Sequence, residues 1–155
     1  MNIKFFRVLF LLFIGCVPPG QKGTFLIDTS CDLSIVEGEI NGKKTFFLID
    51  TGAGITIFDI NQSKHFDFTY VDKDIEVGGF TNNIGTIKQA IGIRSIKIHD
   101  VEVMGDIAYT SNMRNLVKYV EQCSFKRISG IIGVPIIKKY GLVIDLTNNK
   151  LYRNY

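Results

Sequence analysis

Phe46-Phe47-Leu48-Ile49-Asp50-Thr51-Gly52-Ala53 is an apolar run that stops abruptly on a carboxylate and a loop of small residues. The run predicts a strand, and burial at its end disfavours charge on Asp50. Gly52 lets the following loop turn tightly and bring backbone amides close to that carboxylate. A lone Asp-Thr-Gly arises by chance in a chain of this length about 2% of the time, so the context carries the reading and the tripeptide alone does not.

Upstream, residues 33–40 alternate loosely and lead into Asn41-Gly42, a dipeptide that supplies the positive φ angles of a tight hairpin turn. Residues 43–49 return as the partner strand, and residues 24–27 open the series. Downstream, residues 55–58 resume as a strand. Residues 75–77 and 86–88 flank the glycine-rich Gly78-Gly79-Phe80-Thr81-Asn82-Asn83-Ile84-Gly85, which predicts a hairpin with a mobile tip. Residues 90–98 and 101–108 read as two further strands joined at His99-Asp100.

Residues 112–121 break the pattern. Met113, Leu116, Val117 and Val120 lie three and four apart, which predicts a short helix with one apolar face. Ser129-Gly130-Ile131-Ile132-Gly133 is strand and turn again. Residues 134–141 suit a second short helix, with Pro135 in its first turn and Gly141 as its stop. Residues 142–146 and 151–152 close the chain as a hairpin. No repeat, linker or low-complexity segment interrupts this, so the expectation is one domain over residues 23–155. It is all β, a small closed barrel or folded sheet with one or two short helices.

The 155 residues are 46% apolar and 21% charged, enough for a core and too little charge for disorder. Lys4 and Arg7, followed by the apolar residues 8–14, have the layout of a secretory signal over residues 1–15, and the run is too short to span a bilayer. Removing those two cations leaves 16 basic against 15 acidic residues, so the charge gives no hint of a nucleic-acid partner. Phe13-Ile14-Gly15-Cys16 resembles a bacterial lipobox, departing from it at Phe13, where Leu is usual. The resemblance implies lipidation of Cys16, hence an exported cell-envelope lipoprotein, periplasmic or surface-facing, held to the membrane by an N-terminal lipid anchor. Cys31 and Cys123 then remain as an even pair in an oxidising setting, either one disulfide or two separate buried thiols.

The Asn41-Gly42 hairpin, the Asp50-Thr51-Gly52-Ala53 loop, the glycine-rich hairpin after Val77 and Gly130-Ile131-Ile132-Gly133 before a short helix come in a characteristic order. That order resembles the retropepsin-like aspartic proteases over residues 24–152. Tyr140-Gly141-Leu142-Val143-Ile144-Asp145 is similar to their exported bacterial members. The resemblance implies a homodimeric endopeptidase acting on peptide or protein, with Asp50 the one catalytic carboxylate of each chain. Thr51 would lock the two active-site loops together, with Gly52 bonding substrate backbone and Ala53 completing the loop. Gly78, Gly79 and Phe80 would belong to a flap over the peptide. Ile131, Ile132 and Gly133 would hold the Asp loop rigid. Gly54 departs from the Ser or Asp often found there, and Val134-Pro135 replaces a more polar pair.

A non-catalytic member of the fold that binds a peptide or partner chain is the alternative. Asp145 lacks a following Thr-Gly and reads as a surface or turn residue. His65 and His99 are unaccompanied, and there is no Cys-x-x-Cys, phosphate-binding loop or basic-aromatic interleaving. Metal, cofactor and nucleic-acid readings therefore have no foothold.

Overall fold

A computed structural model of the chain describes residues 24–78, 84–103 and 108–154. It begins with the short strand β1 (Phe25–Leu26), followed by the hairpin of β2 (Ser34–Ile40) and β3 (Lys43–Ile49). Asn41 and Gly42 take φ of 51° and 78°, the positive pair that matches the twist of the strands they join. After the Asp50 loop come β4 (Ile57–Asp59), a 3-10 turn at Ile60–Gln62, β5 (Thr69–Tyr70), and the paired β6 (Ile75–Gly78) and β7 (Ile84–Ile91). Then follow β8 (Ile96–Ile98), β9 (Val101–Val103), β10 (Tyr109–Ser111), the helix α1 (Arg114–Ser124), β11 (Ile128–Ile132), the helix α2 (Val134–Lys139), β12 (Leu142–Asp145) and β13 (Lys150–Arg153).

The larger sheet runs β5-β7-β10-β4-β11-β3-β2-β8-β9, with β6 paired to the first half of β7, and a separate sheet runs β1-β13-β12. The larger sheet curls as a half-barrel. Two of its pairings are parallel, β3 with β11 and β4 with β10. They explain why β3 reads as a continuous apolar run: it is a central strand covered on both faces. Phe47 and Ile49 enter the main core with Val36, Phe58, Ile98, Ile132 and Leu151. Leu48 points the other way and packs with Ile35, Met113, Val117, Val120 and Ile128 beneath α1.

α1 carries the apolar spacing the sequence predicted and runs one turn further, to Ser124, whose hydroxyl donates to the Val120 carbonyl at 2.7 Å. α2 has Pro135 in its first turn and Lys138 and Lys139 in its last, both favourable to the helix dipole.

The sequence predicted one strand over residues 90–98, and the structure breaks it. β7 ends at Ile91, Gly92 takes φ of 87°, and β8 starts at Ile96. The Asn41 side chain holds the break. Its Nδ2 donates to the Gly92 and Phe66 carbonyls at 2.9 and 2.7 Å, and its Oδ1 accepts from the Arg94 and Ser95 amides at 2.7 and 3.2 Å. The strand expected at 55–58 is likewise shorter, because Ile55 and Thr56 belong to the loop that meets Gly133.

His99 sits in the β8–β9 turn with its ring stacked on Phe25, centroids 4.2 Å apart. Its Nε2 is buried and has no hydrogen-bond partner among the described residues. Burial lowers its pKa below the ordinary 6.5, partly opposed by the Glu37 and Asp100 carboxylates. The unfolded chain therefore takes up this proton first. Its contribution to stability is complete above the unfolded value and is lost as pH falls through it, levelling off once the folded imidazole also protonates. His99→Phe should flatten the fall in melting temperature between pH 7.5 and pH 5.5. An unchanged pH dependence would show that other groups cause the fall.

Candidate active site

The parallel ladder of β3 and β11 sets Leu48 beside Ile131 and Ile49 beside Ile132. Asp50 directly follows β3, and its amide donates to the Ile132 carbonyl at 3.0 Å. The chain then turns on itself: the Ala53 amide donates to the Asp50 carbonyl at 3.2 Å, and the Gly52 amide donates to Asp50 Oδ1 at 2.7 Å. The side chain of Asp50 is half-buried, and its Oδ2 accepts no hydrogen bond among the described residues. One carboxylate oxygen is thus fixed by backbone, and the other is not.

The loop is braced from the β11 side. The Val134 amide donates to the Ala53 carbonyl at 2.9 Å, and the Gly133 amide donates to the buried Thr56 hydroxyl at 3.1 Å. A Cβ on Gly133 would lie 2.3 Å from the Ile55 carbonyl oxygen and 2.7 Å from that of Ala53, so no side chain fits at this contact. The structure thereby brings Asp50, Gly52 and Ala53 together with Ile131, Ile132 and Gly133. Ile132 is fully buried in the main core, and Ile131 is half-buried on the α1 side. Thr51 is exposed at the loop's tip.

Gly78 ends β6 opposite Ile84, while Gly79 and Phe80 lie outside the described residues, as does Cys16. Cys31 and Cys123 form a disulfide with Cα atoms 5.8 Å apart, which ties the turn before β2 to the last turn of α1. Asp145 shapes the β12–β13 turn by accepting from the Asn148 amide at 3.0 Å and its side-chain nitrogen at 2.7 Å. That bonding holds its pKa below the usual carboxylate value.

One supporting cluster has no motif in the sequence. Asp59, 1% exposed, accepts at Oδ1 from the Asn61 amide, the Asn61 side chain and the Met113 amide, and at Oδ2 from Gln62 Nε2. Gln62 also donates to the Ile128 carbonyl and accepts from Ser129, whose hydroxyl meets that of Thr45. This buried chain joins β3, β4, β11 and the start of α1 at the end of the strands away from Asp50. The only sequence signal was Asp59 two residues before Asn61, a local capping pattern too common to single out.

No protein-family model matches the chain, and no curated protein matches it. Among solved structures it is similar to the crystal structure of a retropepsin-like aspartic protease from Rickettsia conorii. The TM-score is 0.54 and the identity 18%, over 86% of this chain and 90% of that one. Likeness at that identity speaks to architecture, and the curled sheet and the two short helices agree with it. The chain has a retropepsin-like fold.

Proposed function

We propose that the chain is an aspartic endopeptidase whose active site forms between the Asp50 side chains of two copies. The observation that carries this reading is Asp50 itself. It stands at the end of a buried strand, with one oxygen held by the Gly52 amide, in a loop braced by Ile132 and Gly133. The chain holds one Asp-Thr-Gly, so a two-carboxylate site takes one from each copy. Among the described residues β1 is an edge of its sheet, with Leu26 76% exposed, and an apolar edge of this kind favours pairing with a second chain.

Two carboxylates in contact share one proton, because adjacent like charges do not both ionise; aspartic proteases are the standard example of this pairing. The ionised Asp50 takes a proton from a bridging water as its oxygen attacks the scissile carbonyl. The protonated Asp50 hydrogen-bonds the carbonyl oxygen and then neutralises the developing oxyanion. Collapse of the tetrahedral intermediate passes a proton to the amine that leaves. In this reading Thr51 joins the two loops, Gly52 bonds substrate backbone, and the hairpin bearing Gly78, Gly79 and Phe80 covers the peptide and excludes water. The test is hydrolysis of an unfolded protein by the purified chain. Binding without cleavage at any pH would favour the non-catalytic alternative.

The same proposal places the domain at the bacterial cell envelope, anchored through a lipidated Cys16 after removal of residues 1–15. Gly15-Cys16 after an apolar run supports it. Intact-mass measurement of the native protein should give a chain starting at Cys16 with added acyl mass. An unmodified Cys16, or cleavage elsewhere, would contradict it.

A further inference from the structure

α1 breaks two local rules at its start. Arg114 is its first residue and no acidic side chain stands in that turn, so a cation lies where the helix dipole favours an anion. Lys118 follows four residues later, and like charges at that spacing repel each other along one helix face. Neither side chain makes an ion pair among the described residues. Arg127 approaches from the segment leading into β11. It lies 4.0 Å from Glu121, too far for a hydrogen bond. Local costs with no compensation inside the chain point to a partner outside it.

The three cations share one depression. Arg114, Lys118, Glu121 and Arg127 line a hollow of about 320 Å³ together with Asn61 of the 3-10 turn and the buried side chain of Val117. Asp59 also lines it, but it is 1% exposed and its oxygens already accept from Asn61, Gln62 and the Met113 amide. It serves the start of α1 and gives the guanidinium groups no acceptor. A second hollow of about 420 Å³ adjoins the first through the shared Asn61 and Arg127, and brings in Lys44 with the rings of Phe46, His65 and Phe66. Lys44 in turn only grazes Glu37, at 3.9 Å. The joined hollows thus set Lys44, Arg114, Lys118 and Arg127 against Asp59 and Glu121, four positive charges against two negative.

We propose that these joined hollows bind a phosphoryl dianion, either free phosphate or the phosphate ester of a small organic molecule. A phosphate ester carries about 1.5 to 2 negative charges near neutral pH, which matches the surplus of positive charge. Two of the cations are arginines, whose planar fork of donors suits phosphate oxygens. An anion among Arg114, Lys118 and Arg127 offsets their mutual repulsion and the unfavourable charge at the start of α1. An organic substituent would lie in the second hollow against its aromatic rings. The site lies with the Asp59 cluster, away from Asp50, so it is independent of the peptidase reading and requires no activity to test.

Calorimetric titration of the full-length chain in low-salt buffer, with inorganic phosphate and phenyl phosphate as the probes, tests the proposal. Saturable binding is expected. R114Q and R127Q should each weaken it about tenfold or more, the effect of losing one charge-assisted pair. E121Q should tighten it severalfold by removing a like charge beside the anion, a gain that a misfolded chain does not produce. K150Q removes an exposed cation outside both hollows and should leave binding unchanged. Tighter binding of phenyl phosphate supports an organic ester that reaches the rings, and equal affinity supports free phosphate. No saturable heat from either probe at millimolar concentration would overturn the proposal. So would an equal loss in K150Q, R114Q and R127Q, or benzoate binding as tightly as phenyl phosphate.

Discussion

Replacing Asp50 by Asn is expected to lower peptide hydrolysis by at least about a thousandfold while leaving the melting temperature close to that of the parent. Asparagine keeps the shape of the side chain and an Oδ1 that accepts the Gly52 amide, so the 2.7 Å contact that fixes the loop survives. The bonds from Asp50 to Ile132 and from Ala53 to Asp50 are made by backbone and are untouched. What is lost is a group that takes and returns a proton. Steady-state cleavage of an unfolded protein, run beside thermal unfolding of both chains, separates the two effects. Equal turnover by parent and variant would remove Asp50 from the chemistry.

The second large effect concerns stability. The Cys31–Cys123 bridge closes a loop with a sequence separation of 92, and constraining the unfolded chain to that extent contributes roughly 4 kcal/mol. Changing both cysteines to serine should therefore lower the melting temperature by on the order of 15 °C. The loss should begin locally. The bridge pins the end of α1, whose inner face covers Leu48 and Ile35, and Leu48 lies two residues before Asp50 on the strand that carries it. Urea unfolding of the parent with and without reductant, beside the double-serine chain, gives the measurement. Superimposable curves would mean that the bridge constrains little that the core does not already hold.

Local chemistry explains which parts of this architecture were legible in the sequence. Asn41-Gly42 announced its turn because the two positive φ angles it needs are written in the residue types. The spacing of Met113, Val117 and Val120 announced α1 because a helix repeats every 3.6 residues. The Asp50 loop was visible because its apolar strand, carboxylate and small residues are contiguous. Features made by residues distant in sequence were not visible. Nothing near Asn41 foretold that its side chain would also break the strand at Gly92, fifty-one residues later. The buried bonding of Asp59, Gln62, Ser129 and Thr45 assembles only once β3, β4 and β11 are aligned. Two cysteines with no measurable separation left their pairing open.

The central claim is that the active site is made by two copies of Asp50, and specific activity measured across a dilution series tests it most directly, with sedimentation of the same samples. Activity per mole should fall as the dimer dissociates, tracking the sedimenting dimer fraction, because a monomer carries half a site. At fixed dimer fraction the rate should follow a bell-shaped curve with pH, since the pair is competent only while it holds a single shared proton. Constant specific activity in a species that sediments as a monomer would contradict the account.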